Sequence, residues 1–488
     1  MNKKAAIIGA GLGGLAASIR LAKAGFEIDV FEQNENPGGK AGSFYNSGFR
    51  FDTGPSLLTM PFIIKDLFDY TGEKISAYLQ LNKLDILCKY FWDDGTIINA
   101  YSDVKKFANE IELKTKDSSL AVINYLNYSR RIYELTSDIF LFKNSKEILN
   151  YINRKAFKTL LNLKQIDFYR TMHKANSSFF NDRKTIQLFN RYATYNGSSP
   201  YKAPATFNLI QHVEYNLGGY TAKGGIYSVT EALYNLSKKS GVKFHFTNMV
   251  ERINHSNGKI SGLQVSDEVK QYDIILSNVD ATKTYRSFIN AKTNINHKYL
   301  SSSAIVFYWG VKGNYDFTEI HNILFSSDYK KEFDDIFVRK ICPDDPTIYI
   351  YISSKLNPDD APDGCENWFI MINTPPIEKQ DWEKETEKTR INILKKIKKI
   401  LDIDLKDKIL SENILTPEIL EDRTGAYKGS IYGPSSNSIF SAFLRHSNKS
   451  KKYKGLYFCG GSVNPGGGIP LVLLSGKNAA DLIIKDYD

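Results

Sequence analysis

The sequence predicts a mixed α/β fold: a parallel sheet assembled from discontinuous segments, a second β-sheet domain and a helical insertion. Three observations predict it. The chain opens with a strand, a glycine-rich turn and a helix, it closes with another strand–glycine–helix stretch, and a long polar and aromatic segment lies between them. A chain of 488 residues has room for two or three domains with ample core. Because no repeat or low-complexity linker separates them, we expect interleaved segments.

The first element is a short buried strand over residues 3–8, which leads into a glycine-rich turn. Glycines occupy the three positions of a GxGxxG pattern and one further position: Gly9, Gly11, Gly14 and Gly13. A helix over 15–24 ends at Gly25, and a second strand over 26–31 ends at an acid. In this order the first glycine makes a tight turn, the second lets a pyrophosphate approach the backbone, and the third lets the helix pack closely.

The acid at the end of the second strand is Glu32. It lies about twenty residues after the turn, where a carboxylate accepts hydrogen bonds from a ribose hydroxyl and disfavours a 2′-phosphate. The start of the helix offers free N–H groups and a partial positive charge to phosphates. These features together predict a Rossmann-like dinucleotide-binding domain.

A second glycine signature follows the acid and indicates which dinucleotide binds. After Glu32 and Gln33 come Gly38, Gly39 and Lys40, and then the run Gly54, Pro55 and Ser56. This arrangement resembles the double-glycine signature of the amine-oxidase and carotenoid-desaturase flavoproteins. The resemblance implies FAD rather than NAD, with the glycine backbone against the diphosphate and the lysine near a phosphate or the flavin edge.

The rest of the chain divides into segments of two kinds. We assign 1–72, 224–292 and 416–488 to the FAD-binding domain, and 76–100, 192–223 and 293–415 to a substrate-binding domain. A hairpin with its turn at Asp94 and Gly95 begins the substrate-side sheet. A helix over 386–401 opposes apolar residues to lysines, which predicts a packed helix with a solvated lysine face.

Residues 101–191 form a helical insertion without nucleotide-binding glycines. Apolar residues recur at helical spacing over 121–140, and 156–172 mixes leucines with basic residues. A basic amphipathic helix lies in a membrane interface in some proteins and packs against its own domain in others. The insertion is therefore a candidate membrane-contacting lid.

The charge and composition of the chain indicate which kinds of molecule it binds. The net charge is +10, and its lysines are scattered among acids without base-reading aromatic clusters, so we expect no nucleic-acid partner. The charge suits either anionic phospholipid or an ordinary solvated surface. Aromatic residues make up 13% of the chain, which fits an aromatic core or a cavity for a long apolar ligand. No apolar stretch is long enough to span a bilayer.

The cysteines and the N-terminus indicate the compartment. None of the four cysteines is spaced as CxxC, which predicts a reducing compartment without a structural disulfide or a metal site. The chain begins with a strand rather than a signal peptide. We therefore expect a cytoplasmic protein that associates peripherally with the cytoplasmic face of the cell membrane.

The C-terminal stretch repeats the logic of the N-terminus. A strand over 455–458 runs into Gly460 and Gly461, then into the run NPGGGIP at 464–470 and a final helix. With the glycine turn, the GPS run, 191–205 and 277–280, this stretch resembles the bacterial-type phytoene desaturase family of carotenoid oxidoreductases. The resemblance spans essentially the whole chain and favours the 1-hydroxycarotenoid 3,4-desaturase (hydroxyneurosporene desaturase) branch.

This resemblance implies FAD in the Rossmann-like domain, a tunnel for a carotenoid taken from the membrane, and quinone or oxygen as electron acceptor. Besides the residues already named, the cofactor-binding candidates are Val250, Asn278, Gly461, Gly468 and Ile469. Family members commonly have His where this chain has Asn464, so we expect that position to shape the loop beside the flavin. No catalytic side chain is predicted, because the flavin accepts the hydride.

Two other functions fit the same motifs. A flavin amine oxidase shares the N-terminal half, although the PGGGIP run and the insertion argue against it. The sequence also does not distinguish a desaturase from a carotenoid isomerase that uses FAD without net redox. Cys459 before the C-terminal glycines would allow a covalent flavin link, but a buried strand-end cysteine is the preferred interpretation. We expect His173, His212 and His245 to be structural or surface residues.

Overall fold

A five-stranded parallel sheet gathers segments from the beginning, middle and end of the chain. The computed structural model describes residues 3–140, 163–292, 299–437 and 445–487. The strand order is Lys243–His245, Glu27–Phe31, Lys4–Ile8, Ile274–Ser277 and Leu456–Phe458, with every pairing parallel. These strands come from the three segments assigned to FAD binding. The segment boundaries themselves stay a prediction.

Helices cover this parallel sheet and depend on close backbone contact. Leu12–Lys23 packs against both Tyr227–Lys239 and Ile469–Tyr487. Lys4–Ile8 and Glu27–Phe31 are buried on both faces, as is usual in parallel sheets, whereas the edge strand Lys243–His245 is only partly buried. At the crossing of the first and last helices, a Cβ atom on Gly476 would lie 2.3 Å from the carbonyl oxygen of Gly13. Only glycine allows the two helices to approach so closely.

A second, seven-stranded mixed sheet forms the substrate side. Its order is Ile409–Leu415, Ser303–Lys312, Cys365–Thr374, Ile348–Ile352, His321–Leu324, Ile86–Phe91 and Ile97–Tyr101. The last two strands form the predicted hairpin, with Gly95 at a φ of 82° in its turn. All pairings are antiparallel except that of His321–Leu324 with Ile86–Phe91. The mixed α/β class predicted from the sequence is confirmed.

The helix predicted over 386–401 spans Trp382–Leu401 and packs on one face of the mixed sheet. Ile393 and Ile397 are fully buried in a core that also contains Trp309 and Trp368. The prediction of a uniformly solvated lysine face is wrong at Lys396, which is 8% exposed. Its ammonium group donates to the Asp345 carboxylate and the Pro346 carbonyl, each at 2.6 Å, and these contacts compensate its burial.

Three smaller sheets accompany the two large ones in the described part of the chain. Val250–Ser256, Lys259–Val265 and Glu268–Gln271 form an antiparallel sheet. Ser43–Asn46 pairs with Phe49–Asp52, and Gly219–Ala222 lies between Leu58–Thr59 and Leu81–Lys83. Further α-helices of six or more residues span Phe62–Thr71, Tyr329–Asp334 and Pro417–Thr424, and Arg191–Asn196 is a 3₁₀ helix.

The insertion is helical where it is described, with helices Val104–Lys114, Ser119–Phe140, Met172–Phe179 and Arg183–Asn190. The first seven residues of the stretch predicted as an amphipathic helix, 156–162, lie outside the described residues. The prediction that one helix continues to residue 172 is wrong. Leu163–Ile166 is a 3₁₀ turn, and Asp167 follows at a φ of 52°, outside the right-handed helical region. In the described part of the chain, no helix combines the length and apolarity needed to cross a membrane.

The buried face of Trp382–Leu401 provides a matched test of packing. Ile397→Ala removes a fully buried side chain, so we expect the free energy of unfolding to fall by about 2–5 kcal/mol. Ile391→Ala on the same helix truncates a side chain that is 41% exposed, and we expect a change within about 0.5 kcal/mol. Urea denaturation followed by circular dichroism measures both. Equal losses would contradict this packing.

Candidate functional site

One cavity runs from the glycine turn of the parallel sheet to the face of the mixed sheet. Its volume is about 600 Å³, within the range of ligand sites. Of the residues predicted to bind the cofactor, all but Gly14 line this cavity, and Asn464 lines it too. A Cβ on Gly14 would instead lie 2.4 Å from the Gly9 carbonyl oxygen, so this glycine serves helix packing. The contacts of each residue with a cofactor stay a prediction.

The glycine turn presents backbone to the cavity. Gly9 has a φ of 94°, a conformation that L side chains rarely adopt. A Cβ on Gly11 would lie 2.8 Å from the Asn278 side-chain nitrogen, and one on Gly13 would lie 2.7 Å from its oxygen. Leu12–Lys23 begins here without a side-chain cap, so its first N–H groups are left for an anion. This cradle fits a diphosphate.

Glu32 is held rigidly at the end of its strand. One carboxylate oxygen accepts from the Ala10 N–H at 2.8 Å, and the other accepts from the backbone and side-chain nitrogens of Asn34 at 2.9 and 2.7 Å. A carboxylate accepts about four hydrogen bonds, so capacity remains for a ribose hydroxyl. The neighbouring Gln33 donates to the carbonyls of Asp422 and Arg423, each at 3.0 Å, which joins this end of the cavity to the C-terminal segment.

Lys40 is the cation nearest the double glycine. Its ammonium group donates to the Ile431 carbonyl at 2.6 Å. Removal from solvent lowers the pKa of Lys40 to about 8, and the Asp280 carboxylate opposes that shift. The group is therefore an ammonium ion at neutral pH and a neutral amine in mildly alkaline solution.

The C-terminal glycine loop closes the other side of the cavity. A Cβ on Gly467 would lie 2.4 Å from the Tyr432 ring, so the ring packs directly on the loop. Arg445 donates to the carbonyls of Tyr432 and Gly461 at 3.0 and 2.9 Å, and burial lowers its pKa to about 10. No sequence pattern marked Arg445 or Tyr432 as site residues. A partly buried cation beside this loop suits a cofactor that carries negative charge.

The predicted role of Asn464 concerns the loop rather than chemistry. Its carbonyl accepts from the Asn448 side chain at 3.0 Å and from the Ser475 hydroxyl at 2.8 Å. The same serine oxygen accepts from the Gly460 N–H at 3.1 Å. These contacts tie the loop to the final helix, which fits a shaping role.

Cys459 and the three histidines considered from the sequence do not line the cavity. The Cys459 thiol is 1% exposed, donates to the Asn278 side-chain oxygen at 3.4 Å, and has its pKa raised by burial. This geometry favours the buried strand-end cysteine over a covalent flavin link. His245 pairs with Asp29 at 2.8 Å, and His173 with Asn190 at 3.0 Å.

The substrate side of the cavity is mostly apolar, with walls that include Leu57, Phe207, Ile210, Val213, Phe369 and Met371. Within these walls lies a set of polar side chains that we call the polar cluster: Arg191, Glu214, Tyr195, His321 and Tyr349. No sequence pattern predicted that these side chains lie together. The only sequence signal of the cluster was a charged residue inside an aromatic run at Arg191.

Hydrogen bonds organise the polar cluster. Glu214 accepts from the Tyr192 hydroxyl at 2.7 Å and from the Tyr195 hydroxyl. The Arg191 guanidinium donates to Glu214 at 3.4 Å and to the Tyr90 hydroxyl at 2.8 Å. A second chain joins His321 Nδ1 to the Tyr349 hydroxyl at 2.7 Å and that hydroxyl to Ser56 at 2.5 Å. Burial and the Arg191 charge lower the pKa of His321 to about 3, so the imidazole is neutral.

Known proteins resemble this chain over most of its length. A sequence model of flavin-containing amine oxidoreductases matches residues 12–302. The chain is 44% identical over 484 residues to a 1-hydroxycarotenoid 3,4-desaturase of Flavobacterium sp. (strain P99-3), covering 99% of each chain. It is 34% identical to a 4,4′-diaponeurosporene oxygenase of Staphylococcus haemolyticus (strain JCSC1435), covering 99% of this chain and 97% of the other. The predicted resemblance to carotenoid oxidoreductases is confirmed.

Solved structures share the fold at low identity. An oxidoreductase from Methanosarcina mazei superposes with a TM-score of 0.62 at 15% identity, covering 98% of this chain and 100% of the other. Wild-type putrescine oxidase bound to putrescine superposes with a TM-score of 0.64 at 12% identity, covering 99% of each chain. At these identities the likeness concerns the fold alone.

Lys40 provides a pH test of the nucleotide end. We expect the affinity of the apoprotein for FAD to fall as the pH rises through about 8, because the lysine then loses its proton and its attraction for the diphosphate. Flavin fluorescence titrations from pH 6.5 to 9.5 measure this. Lys40→Met should bind more weakly and show no such step. The same step in both proteins would contradict the role of Lys40.

Glu32 provides a second test at the ribose. Glu32→Gln replaces an acceptor that the Ala10 N–H and a ribose hydroxyl require, so we expect FAD affinity to fall about tenfold or more. Glu35→Gln changes the nearby exposed carboxylate and should leave the dissociation constant within about twofold. Equilibrium titration with FAD compares the two. An unchanged affinity in Glu32→Gln would rule out the ribose contact.

Proposed function

Because the chain belongs to the family of flavin-containing amine oxidoreductases, we propose that it is an FAD-dependent desaturase that introduces double bonds into an acyclic carotenoid, including 1-hydroxylated forms. The observation that carries this proposal is the 44% identity over 99% of both chains to a 1-hydroxycarotenoid 3,4-desaturase. The reaction belongs to carotenoid biosynthesis. The protein is thus an oxidoreductase acting on CH–CH bonds, with FAD as its cofactor.

The nucleotide end of the cavity binds and orients the cofactor. The glycine turn and the start of Leu12–Lys23 hold the diphosphate, Glu32 holds a ribose, and Lys40 adds a positive charge. When bound, FAD would supply the acceptor for a hydride equivalent, which no amino-acid side chain provides, and the proton lost from the adjacent carbon would pass to a carboxylate, water or the reduced flavin. The C-terminal loop, fixed by Arg445 and Ser475, forms the wall on the opposite side.

The substrate end holds the polyene and excludes water. Its apolar walls suit a long hydrocarbon, because burying apolar surface stabilises by about 25 cal/mol per Å². Removing a hydride equivalent develops positive charge on the adjacent allylic carbons. The aromatic faces of Tyr349 and Phe369, both lining the cavity, favour such a cation without themselves carrying charge.

The chemistry of the substrate bears on membrane association and on the electron acceptor. A carotenoid is held in membrane lipid, so we propose lateral uptake by a protein lying peripherally on the cytoplasmic face of the cell membrane. The net charge of +10 supports attraction to anionic lipid. We propose quinone or oxygen as the electron acceptor, because only one GxGxxG in the sequence stands correctly between strand and helix. The insertion is the proposed membrane-contacting part.

Anaerobic reconstitution tests the proposed function. The purified protein is loaded with FAD in liposomes and given phytoene, lycopene or a 1-hydroxylated acyclic carotenoid separately. We expect at least one polyene, with the 1-hydroxylated one foremost, to bleach the flavin absorbance while its own spectrum shifts to the red.

Two outcomes would contradict the desaturase. A changed polyene with an unbleached flavin would indicate isomerisation instead of hydride transfer. Bleaching by amines, with no change in any polyene, would indicate an amine oxidase.

A further inference from the structure

The polar cluster is out of place in a cavity built for a hydrocarbon. Arg191, Glu214 and His321 are 8%, 1% and 3% exposed, and all three line the cavity. Burying charged and polar groups costs free energy unless they are paired. An entirely apolar ligand would leave this part of the wall without any function in binding.

Two atoms of the cluster are left over after its internal hydrogen bonds are made. Arg191 Nε and His321 Nε2 are buried and have no hydrogen-bond partner among the described residues. The first is a donor. The second donates or accepts according to the tautomer, because His321 is neutral. A hydroxyl group carries one donor and two acceptor sites, so its hydrogen-bonding capacity matches the needs of both atoms in either tautomer.

The surrounding side chains hold both groups in place. The Arg191 guanidinium lies 4.4 Å from the centre of the Tyr192 ring and 5.4 Å from that of Tyr195. A terminal nitrogen of the same guanidinium forms an ion pair with the Glu214 carboxylate. The His321 ring is stacked with Tyr349 and Tyr351 at centroid distances of 6.0 and 5.1 Å. Both free atoms therefore belong to preorganised side chains.

The hydrogen-bond chain from His321 through Tyr349 ends at Ser56, in the GPS run predicted to contact the flavin. The cluster thus lies at the flavin end of the substrate cavity. In a polyene hydroxylated at carbon 1 and desaturated between carbons 3 and 4, the oxygen lies within about 5 Å of the reacting carbons, since each bond is about 1.5 Å. A group that binds this hydroxyl must therefore lie beside the flavin.

We propose that Arg191 Nε and His321 Nε2 bind the terminal hydroxyl of a hydroxylated acyclic polyene and so select the bond presented to the flavin. This inference rests on the proposed desaturase function and names the side chains that recognise the hydroxyl of its substrate. Glu214 positions Arg191, and Tyr349 positions His321. The apolar remainder of the chain extends along the apolar walls of the cavity.

Paired ligands test the proposal by equilibrium binding. The FAD-loaded full-length protein in liposomes is titrated with two acyclic polyenes that differ only in the hydroxyl at carbon 1, and quenching of protein fluorescence gives both dissociation constants. We expect the hydroxylated polyene to bind at least about tenfold more tightly, because the other leaves buried polar atoms unpaired.

Two variants remove the binding atoms separately. His321→Phe keeps the stacked ring and removes Nε2, and Arg191→Lys keeps a positive charge beside Glu214 and removes the Nε–H. Each should lose most of the preference by weakening only the hydroxylated ligand. His212→Phe is the matched control, since His212 is buried, has an unpartnered Nδ1 among the described residues and does not line the cavity. It should keep the preference.

The outcomes separate this site from the function on which it rests. Equal binding of the two polyenes by the unmodified protein, or a full preference retained in both His321→Phe and Arg191→Lys, would overturn the hydroxyl site. If both polyenes are desaturated equally well, the desaturase stands and the hydroxyl site falls. If neither polyene reduces the flavin or gains a double bond, the desaturase falls and the hydroxyl site falls with it.

Discussion

The structure depends on close contact between backbones at the carboxyl ends of the parallel strands. Gly13 and Gly476 let the first and last helices meet without side chains between them, and a Cβ at either position would collide with its neighbours. Protein interiors tolerate little added volume, so this contact determines where the C-terminal loop lies. It places the loop opposite the glycine turn, and the cavity is the space enclosed between them.

The two ends of the cavity differ in polarity. Its nucleotide end offers backbone N–H groups, a fixed carboxylate and a partly buried lysine, which suit a polar, charged ligand. Its substrate end is mostly apolar and gains from excluding water. The polar cluster stands where the two meet, linked to Ser56 through Tyr349. A charged pair at this place costs desolvation free energy, so it is better explained by specificity than by stability.

Local patterns predicted much of the fold and the cofactor side of the site. The GxGxxG turn, Glu32 and the hairpin at Gly95 have short-range physical causes, which sequence spacing records directly. The continuous basic helix to residue 172 and the solvated Lys396 were wrong, because each depends on what packs against the segment. Lys396 forms hydrogen bonds with Asp345 and Pro346, which lie far from it in the sequence and are brought close by the packing of the helix on the mixed sheet. Arg445 and the polar cluster were missed for the same reason.

The sequence by itself determined the class of the protein: an α/β flavin-binding chain whose motifs lie in the order that a dinucleotide requires. Those motifs can be recognised in the sequence because each acts within a single strand–turn–helix unit. Only the tertiary structure decided that Arg191 and His321, 130 positions apart, line one cavity beside Ser56. Binding specificity of this kind comes from side chains on different elements, and their convergence is set by packing across the two sheets rather than by any local pattern.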